Sequence, residues 1–362
     1  MIKNNHNVFF EDTKYYQEHT DWHDILSSSI TTAEELAQYL PVKKKDIREV
    51  TQRYPMRINP YYLSLIKDVN DPFWKQAVPD LLEIKLTSGM EDPLAEEAQS
   101  PVPNLIHRYP DRVLFMVSDQ CAMYCRHCMR KRRVGNQFKV NDDTIKDGID
   151  YIRSNKSVRD VLVSGGDPLL LENDKLDKIL LRLRSITHVE IIRIHSRVPC
   201  TLPQRITREL VGILKKYLPL YINIQFNLYN EITSEATKAC SILADAGIPL
   251  GCQTVLLKGV NNSAIAMKKL MQDLLKIRVK PYYIHHADFV KGTCHFRTSI
   301  KDGLKIMNEL YGHTSGLAVP HYMIDLPGGG GKVPLIPENI IERGDGYLMV
   351  KNYKGEVYKY PD

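Results

Sequence analysis

The stretch 112–128, "RVLFMVSDQCAMYCRHC", begins as an apolar, β-prone run and ends in a loop that carries Cys121, Cys125 and Cys128. Three thiols so close together call for a soft metal centre. A structural zinc site normally takes four ligands, often as two separated pairs, and no second pair exists in the chain. The spacing CxxxCxxC instead suits a [4Fe–4S] cluster with one iron left free of protein, because the usual complement is four cysteines. The loop runs on directly into Arg130, Lys131, Arg132 and Arg133.

Working outward from this stretch, five further short apolar runs follow: "DVLVSG" (160–165), "HVEIIRIHS" (188–196), "PLYINIQF" (219–226), "PLGCQTVLL" (249–257) and "VKPYYIHH" (279–286). Segments with helical periodicity separate them, such as the one placing Ile145, Ile149 and Ile152 on one face and the one carrying Leu176, Ile179, Leu180 and Leu183. Strands that are apolar nearly throughout, alternating with helices, predict an α/β fold with a parallel sheet covered on both faces. Six such units predict a partial (βα)6 TIM-like barrel, with chemistry at the C-terminal ends of its strands. Cys121, the Gly165–Gly166–Asp167 turn, Arg197, Asn227 and Asp288 all fall at such ends.

The first hundred residues carry helix signals instead. Thr32 and Glu35 form a capping box ahead of Leu36 and Leu40, and Asp71 before Pro72 opens another helix. The expected organisation is a helical region over 1–104, the barrel over 105–312 and a C-terminal segment over 313–362.

Composition sets the outer limits. The chain has 362 residues, 43% hydrophobic and 25% charged, which excludes fibrous and disordered classes. A net charge of +6 over this length does not require a polyanionic partner. No run approaches the roughly 18–20 apolar residues of a membrane helix, and "MIKNNHNVFFEDTKYY" lacks the apolar segment of a secretory signal. Four of the seven cysteines are scattered singly, which suits a reducing compartment. The expectation is a cytoplasmic protein.

Two glycine-rich turns add chemistry. In "SGGDPLL" (164–170), a glycine pair lets a ligand approach the backbone, and nearby amides with Asp167 suit an amino-acid head group. In "IDLPGGGGKVP" (324–334), four glycines precede Lys332. A backbone stripped of side chains lets a flat cofactor lie against it, and pyridoxal phosphate (PLP), joined to Lys332 as a Schiff base, is the natural occupant. His285 and His286 are adjacent, and neighbouring residues of a strand point to opposite faces, which disfavours a shared metal.

The cysteine loop after the first barrel strand resembles that of the radical S-adenosylmethionine (SAM) enzymes. Joined to a PLP lysine, it resembles the lysine 2,3-aminomutase family, from "PLAEEAQSPVPNLIHRYPDRVLF" through "GHTSGLAVPHYMIDLPGGGGKVP". The resemblance implies that Cys121, Cys125 and Cys128 hold the cluster, that Gly165, Gly166, Asp167 and Gln253 contact SAM, and that Lys332, Arg108 and Arg112 bind PLP and its phosphate. It further implies that Arg130 pairs with the carboxylate of an amino-acid substrate, and that Asp288 and Asp325 receive its distal ammonium. The reaction implied moves the α-amino group of L-lysine to C3, and a homo-oligomer is expected. Departures from the family pattern lie at Gln225, Leu228, Tyr229, Cys252 and His285. Arginine, also cationic, is the rival substrate, whereas a glutamate enzyme is expected to replace the two acids. A reading of another class takes Arg126 and the run from Arg130 to Arg133 as a nucleic-acid patch. The absence of interleaved aromatics weighs against it.

Overall fold

A computed structural model of the chain describes residues 21–135 and 139–361. The six expected strands form as β2 (Arg112–Ser118), β3 (Asp160–Gly165), β4 (Ile191–Ser196), β5 (Leu220–Ile224), β6 (Leu250–Leu256) and β7 (Lys280–His286). They are flanked by β1 (Leu105–Tyr109) on one side and by β8 (His321–Leu326) and β9 (Gly331–Pro334) on the other. All nine lie in one sheet in chain order. Strands β2 to β8 are parallel, while β1 and β9 run antiparallel at the two edges. The edges approach each other where Lys332 of β9 donates its main-chain N–H to Tyr109 Oη of β1 at 2.8 Å. The result is a nearly closed barrel. The seventh parallel strand, β8, was not expected from its sequence, because prolines 320 and 327 bracket a run of only six residues.

Helices cover the outside of the barrel. They are α7 (Asp142–Ser154), α8 (Asn173–Arg184), α9 (Arg208–Lys215), α10 (Ser234–Asp245), α11 (Ala264–Lys276) and α12 (Ile300–Leu310), numbered after the N-terminal helices given below. Helix α7 shows why they form where they do. Asn141 caps it by accepting from Thr144 N–H, and Ile145, Ile149 and Ile152 turn one stripe into the core. Strand β6 shows the complementary pattern, with Leu250, Cys252, Thr254 and Leu256 buried under helices and Gly251, Gln253 and Val255 facing the lumen. Cys252 therefore points away from the lumen, its Sγ lying 3.7 Å from Phe226 O. A separate three-stranded sheet of β10 (Ile340–Gly344), β11 (Tyr347–Lys351) and β12 (Val357–Pro361) follows the barrel.

The N-terminal region forms short helices: α1 (Trp22–Ser27), α2 (Ala33–Tyr39), α3 (Lys44–Thr51), α4 (Pro60–Ser64), α5 (Pro72–Ala77) and α6 (Leu82–Lys85). The Thr32–Glu35 box and the Asp71 cap both form. This region grips the cysteine loop. Asn59 donates to Ala122 O at 3.0 Å and to Thr201 O at 2.9 Å, and Tyr124 N–H donates to Arg57 O at 3.0 Å. Glu83 of α6, 1% exposed, accepts from Arg126 Nε at 2.9 Å and pairs with Lys131 Nζ at 2.6 Å. Burial alone would raise this carboxyl, but the two cations override it and hold it at about 2.

Lys131 is thus a buried member of a three-charge cluster and not part of a solvated turn. The rest of the basic run is also matched internally. Arg132 pairs with Asp92 at 3.0 Å, Arg133 with Glu97 at 3.1 Å and Arg130 with Glu96 at 2.7 Å. Charge already neutralised by the protein's own acids is not offered to nucleic acid. Removing one partner of a buried ion cluster strands the others without water, at a cost of about 3–5 kcal/mol. Glu83→Ala should therefore lower the unfolding free energy, measured by denaturant titration, by about 3–5 kcal/mol, whereas Glu97→Ala, at an exposed acid, should leave it within about 1 kcal/mol of the parent.

Candidate functional site

The C-terminal ends of the strands carry two groups of side chains. The first surrounds the cysteine loop. Cys121, Cys125 and Cys128 are partly exposed as residues, but burial of their sulfurs pushes the Cys121 and Cys128 thiols up, Cys128 to about 11, with the charge of Asp167 and the other two cysteines adding to it at Cys121 and that of Cys125 at Cys128. Among the described residues, no three His, Cys, Asp or Glu side chains meet at a point suited to a single metal ion. A four-iron cubane makes no such demand, since each thiolate binds a different iron. Two buried polar atoms lack hydrogen-bond partners here, Nδ1 of His127 within the loop and Nε of Arg197 beside it, as expected of a site that receives a polar ligand.

The turn after β3 packs against this loop. A Cβ on Gly165 would come within 2.2 Å of Ser118 O, and one on Gly166 within 2.3 Å of Gln120 O. Gly165 also has φ +136°, so both positions need glycine to let β3 meet the backbone that leads into the cysteines. The Asp167 carboxylate turns inward and accepts from Ser196 Oγ at 2.8 Å and from the main-chain N–H groups of Arg197, Val198 and Leu169 at 2.7, 3.1 and 3.1 Å. Burial nevertheless raises it to about 6. This carboxylate is engaged by its own protein. Gln253 faces the lumen from β6.

The second group gathers around Lys332. Its amine bonds the buried Asp325 carboxylate on the neighbouring strand, directly opposite in register. Arg108 Nη1 lies 3.7 Å from Asp325 and His285 Nδ1 3.8 Å from it, while Asp325 Oδ1 accepts no hydrogen bond. Burial and the charge of Asp325 push Asp288 up to about 7, with Lys332, Glu96 and Arg130 also acting on it. Burial holds His285 and His195 well below the usual imidazole range, His195 at about 3, and the fields of Arg193, Arg130 and Lys332 add to it at His195. Arg130 links the two groups, with its main-chain N–H facing Cys128 and its guanidinium bound by Glu96 through Nε at 3.2 Å and Nη2 at 2.7 Å.

Arg112 sits lower in the lumen, stacked 3.8 Å over Tyr109 and bonded to Asp111 at 2.8 Å. Near it, Arg193 pairs with Asp160 at 2.7 Å. The glycine run before Lys332 has positive φ at Gly328, Gly329 and Gly331. A Cβ on Gly328 would meet nothing within 4 Å. A lysine amine on a glycine-rich turn, a buried carboxylate oxygen that accepts no hydrogen bond and the arginines around the lumen fit PLP, with its aldehyde, pyridine ring and phosphate. His286 faces the other way and bonds Tyr322 at 2.8 Å.

Of the residues expected from sequence, Gly165, Gly166 and Asp167 lie by the cysteine loop and Arg108 and Asp325 by Lys332, whereas Arg112 reaches the lysine group only through Tyr109 and Gln253 lines the lumen from β6. Glu96, Arg193, His195 and Tyr109 were not foreseen. Only the acidity of "EDPLAEEAQ" hinted at the first of them.

Comparison with known proteins agrees with this arrangement. The radical SAM superfamily model matches residues 115–270, and the model described as lysine-2,3-aminomutase matches residues 307–362. The chain is 50% identical over 349 residues to the L-lysine 2,3-aminomutase of Clostridium subterminale, covering 94% of this chain and 84% of that protein.

The chain belongs to the lysine 2,3-aminomutase family. It is 44% identical to the L-lysine 2,3-aminomutase of Bacillus subtilis (strain 168), covering 94% of this chain and 74% of that one. The glutamate 2,3-aminomutase of Clostridioides difficile (strain 630) is 46% identical, covering 94% and 83%. Membership brings a [4Fe–4S] cluster, SAM and PLP as the family's cofactors.

Gly329 supplies a test of the lysine-centred group. A Cβ there would lie 1.7 Å from Gln99 Nε2, and Gln99 Oε1 holds Arg108 Nε at 2.8 Å. Gly329→Ala should cost about 1–2 kcal/mol in left-handed backbone strain and loosen Arg108, so that less PLP stays with the protein through gel filtration. Gly328→Ala shares the strain but not the collision, and should retain more PLP.

Proposed function

We propose that this chain is a 2,3-aminomutase that moves the α-amino group of L-lysine to C3 to give β-lysine. The observation that carries the reading is the pair Asp288 and Asp325, where burial and then the charge of Asp325 raise the Asp288 carboxyl, with Arg130 near enough to act on it as well. An amino acid with a carboxylate at one end and an ammonium at the other matches that charge pattern.

In this reading Cys121, Cys125 and Cys128 hold the cluster, with Gly165, Gly166, Asp167 and Gln253 beside SAM. Lys332 takes PLP, Arg108 and Arg112 hold its phosphate, and Arg130 takes the substrate carboxylate. When bound, the cluster and SAM supply a hydrogen-abstracting radical, and PLP supplies a π-system that delocalises the unpaired electron.

The chain's own residues supply position and charge. Asp325 holds the Lys332 amine in the free protein; once that amine is engaged elsewhere, the carboxylate is released to pair with the distal ammonium. His195 and His285 stay neutral and add no cation to compete with it. Asp288 is protonated below about 7, and an arriving ammonium favours its ionised form.

The proposed division is 1–104, 105–312 and 313–362; its described parts grip the cysteine loop (from residue 21), form the barrel and present Lys332, while residues 1–20, 136–138 and 362 lie outside the described residues. Among the described residues no helix is long and apolar enough to cross a membrane. Seven cysteines without a disulfide support a reducing, cytoplasmic setting. Exposed Ile341, Val357, Tyr358 and Tyr360 on the C-terminal sheet support a homo-oligomer, and a monomeric mass by light scattering would remove that part of the proposal.

Protein reconstituted anaerobically with iron, sulfide, PLP, SAM and reductant should convert L-lysine, but not L-arginine or L-glutamate, to a β-amino acid. Product from arginine alone would reassign the substrate. The KM for lysine should fall as pH rises through about 7, because only the ionised Asp288 pairs with the ammonium. Asp288→Asn should flatten that profile and raise KM by roughly a hundredfold, equivalent to about 3 kcal/mol.

A further inference from the structure

Arg197 follows β4 and is not among the groups assigned above. We propose that it sets the reduction potential of the cluster by donating a hydrogen bond and a fixed positive charge to Cys125, an inference that rests on the three cysteines holding that cluster. Nη1 of Arg197 lies 2.8 Å from Cys125 Sγ. The guanidinium is buried, and its Nη2 is fixed in a frame: it donates to Gln76 Oε1 and Glu231 Oε1, both at 2.7 Å, and approaches Tyr62 Oη at 3.5 Å. Its main-chain N–H is held by Asp167.

The frame is itself fully buried. Glu231, with no exposed surface, also accepts from Tyr62 Oη and Gln76 Nε2 at 3.0 Å each, and from the N–H groups of Asn227 and Leu228 at 2.6 and 3.0 Å. Glu231 and Gln76 thus pin one edge of the guanidinium and leave Nη1 directed at the sulfur. An arginine does not lose its proton in a protein, so Nη1 stays a charged donor beside Cys125, with Glu231 balancing the charge at the far edge of the guanidinium.

Reduction adds one electron to the cluster, taken from an external low-potential donor that is oxidised by one electron in turn. The added negative charge is shared with the cysteine sulfurs, and an N–H···S bond together with a nearby cation stabilises it. Hydrogen bonds to sulfur and net charge are established determinants of cluster potential. Arg197 thereby makes the cluster easier to reduce. It acts through Cys125 and is a positioning residue.

The test is the midpoint potential of the reconstituted cluster, read by electron paramagnetic resonance during redox titration without SAM. Arg197→Gln, loaded with four irons, should be about tenfold harder to reduce, a downward shift of about 59 mV for one electron. Arg197→Lys keeps the charge without the fork and should fall between the two. An unchanged midpoint in fully loaded Arg197→Gln overturns the proposal. If that variant fails to assemble a cluster, the parent protein decides: with 15N-guanidino arginine, pulsed resonance of the reduced cluster should show a 15N coupling that Arg197→Lys lacks, and no coupling overturns the proposal. A parent chain that binds no iron at all would instead remove the cluster reading on which it stands.

Discussion

A carboxylate without access to water, Glu83, holds two cations of the loop that contains the cysteines. None of the three groups could be buried alone, because each would lose its hydration without compensation. Their mutual requirement joins α6 to the loop and so decides where Cys121, Cys125 and Cys128 stand relative to the barrel. The same device recurs at Arg130 with Glu96 and at Arg197 with Glu231. Positive charge in and around this loop serves to lock irregular backbone in place, a task that hydrophobic packing performs poorly for a segment with almost no regular secondary structure.

The barrel contributes direction. Parallel strands deliver their last residues to one rim, so residues more than two hundred positions apart, such as Cys121 and Lys332, are presented to the same side. Between the two centres stands Arg130, whose backbone belongs to the cysteine loop and whose side chain is bound by Glu96. In the proposed reading, a substrate carboxylate at Arg130 would be placed by the same short loop that carries the cysteines.

Much of this was legible in the sequence, for physical reasons. Tight cysteine spacing and a four-glycine run have few uses other than ligand binding, and buried parallel strands such as "DVLVSG" are apolar enough to stand out. What escaped notice depended on pairing at a distance. Glu83 and Glu96 lie 43 and 34 residues from their arginine partners and look like ordinary surface acids. Strand β8 is short and bounded by prolines, and β1 reads as a turn-rich approach to β2. The glycine pair in "SGGDPLL" also meets the protein's own backbone at Ser118 and Gln120, a contact that its sequence does not display. Sequence displays a residue's chemistry more readily than the direction in which it faces.

The hairpin of β8 and β9 places Leu326 opposite Gly331 and Asp325 opposite Lys332 across a turn of four residues. Side chains on a strand alternate faces, so removing or adding one residue in that turn would exchange the inward and outward sets. Lys332 would then project away from the lumen, and Asp325 would lose its partner without any change in either residue. The turn is accordingly constrained in length as strictly as in composition, and chains of this kind that differ by a single insertion there would be expected to have abandoned the chemistry altogether.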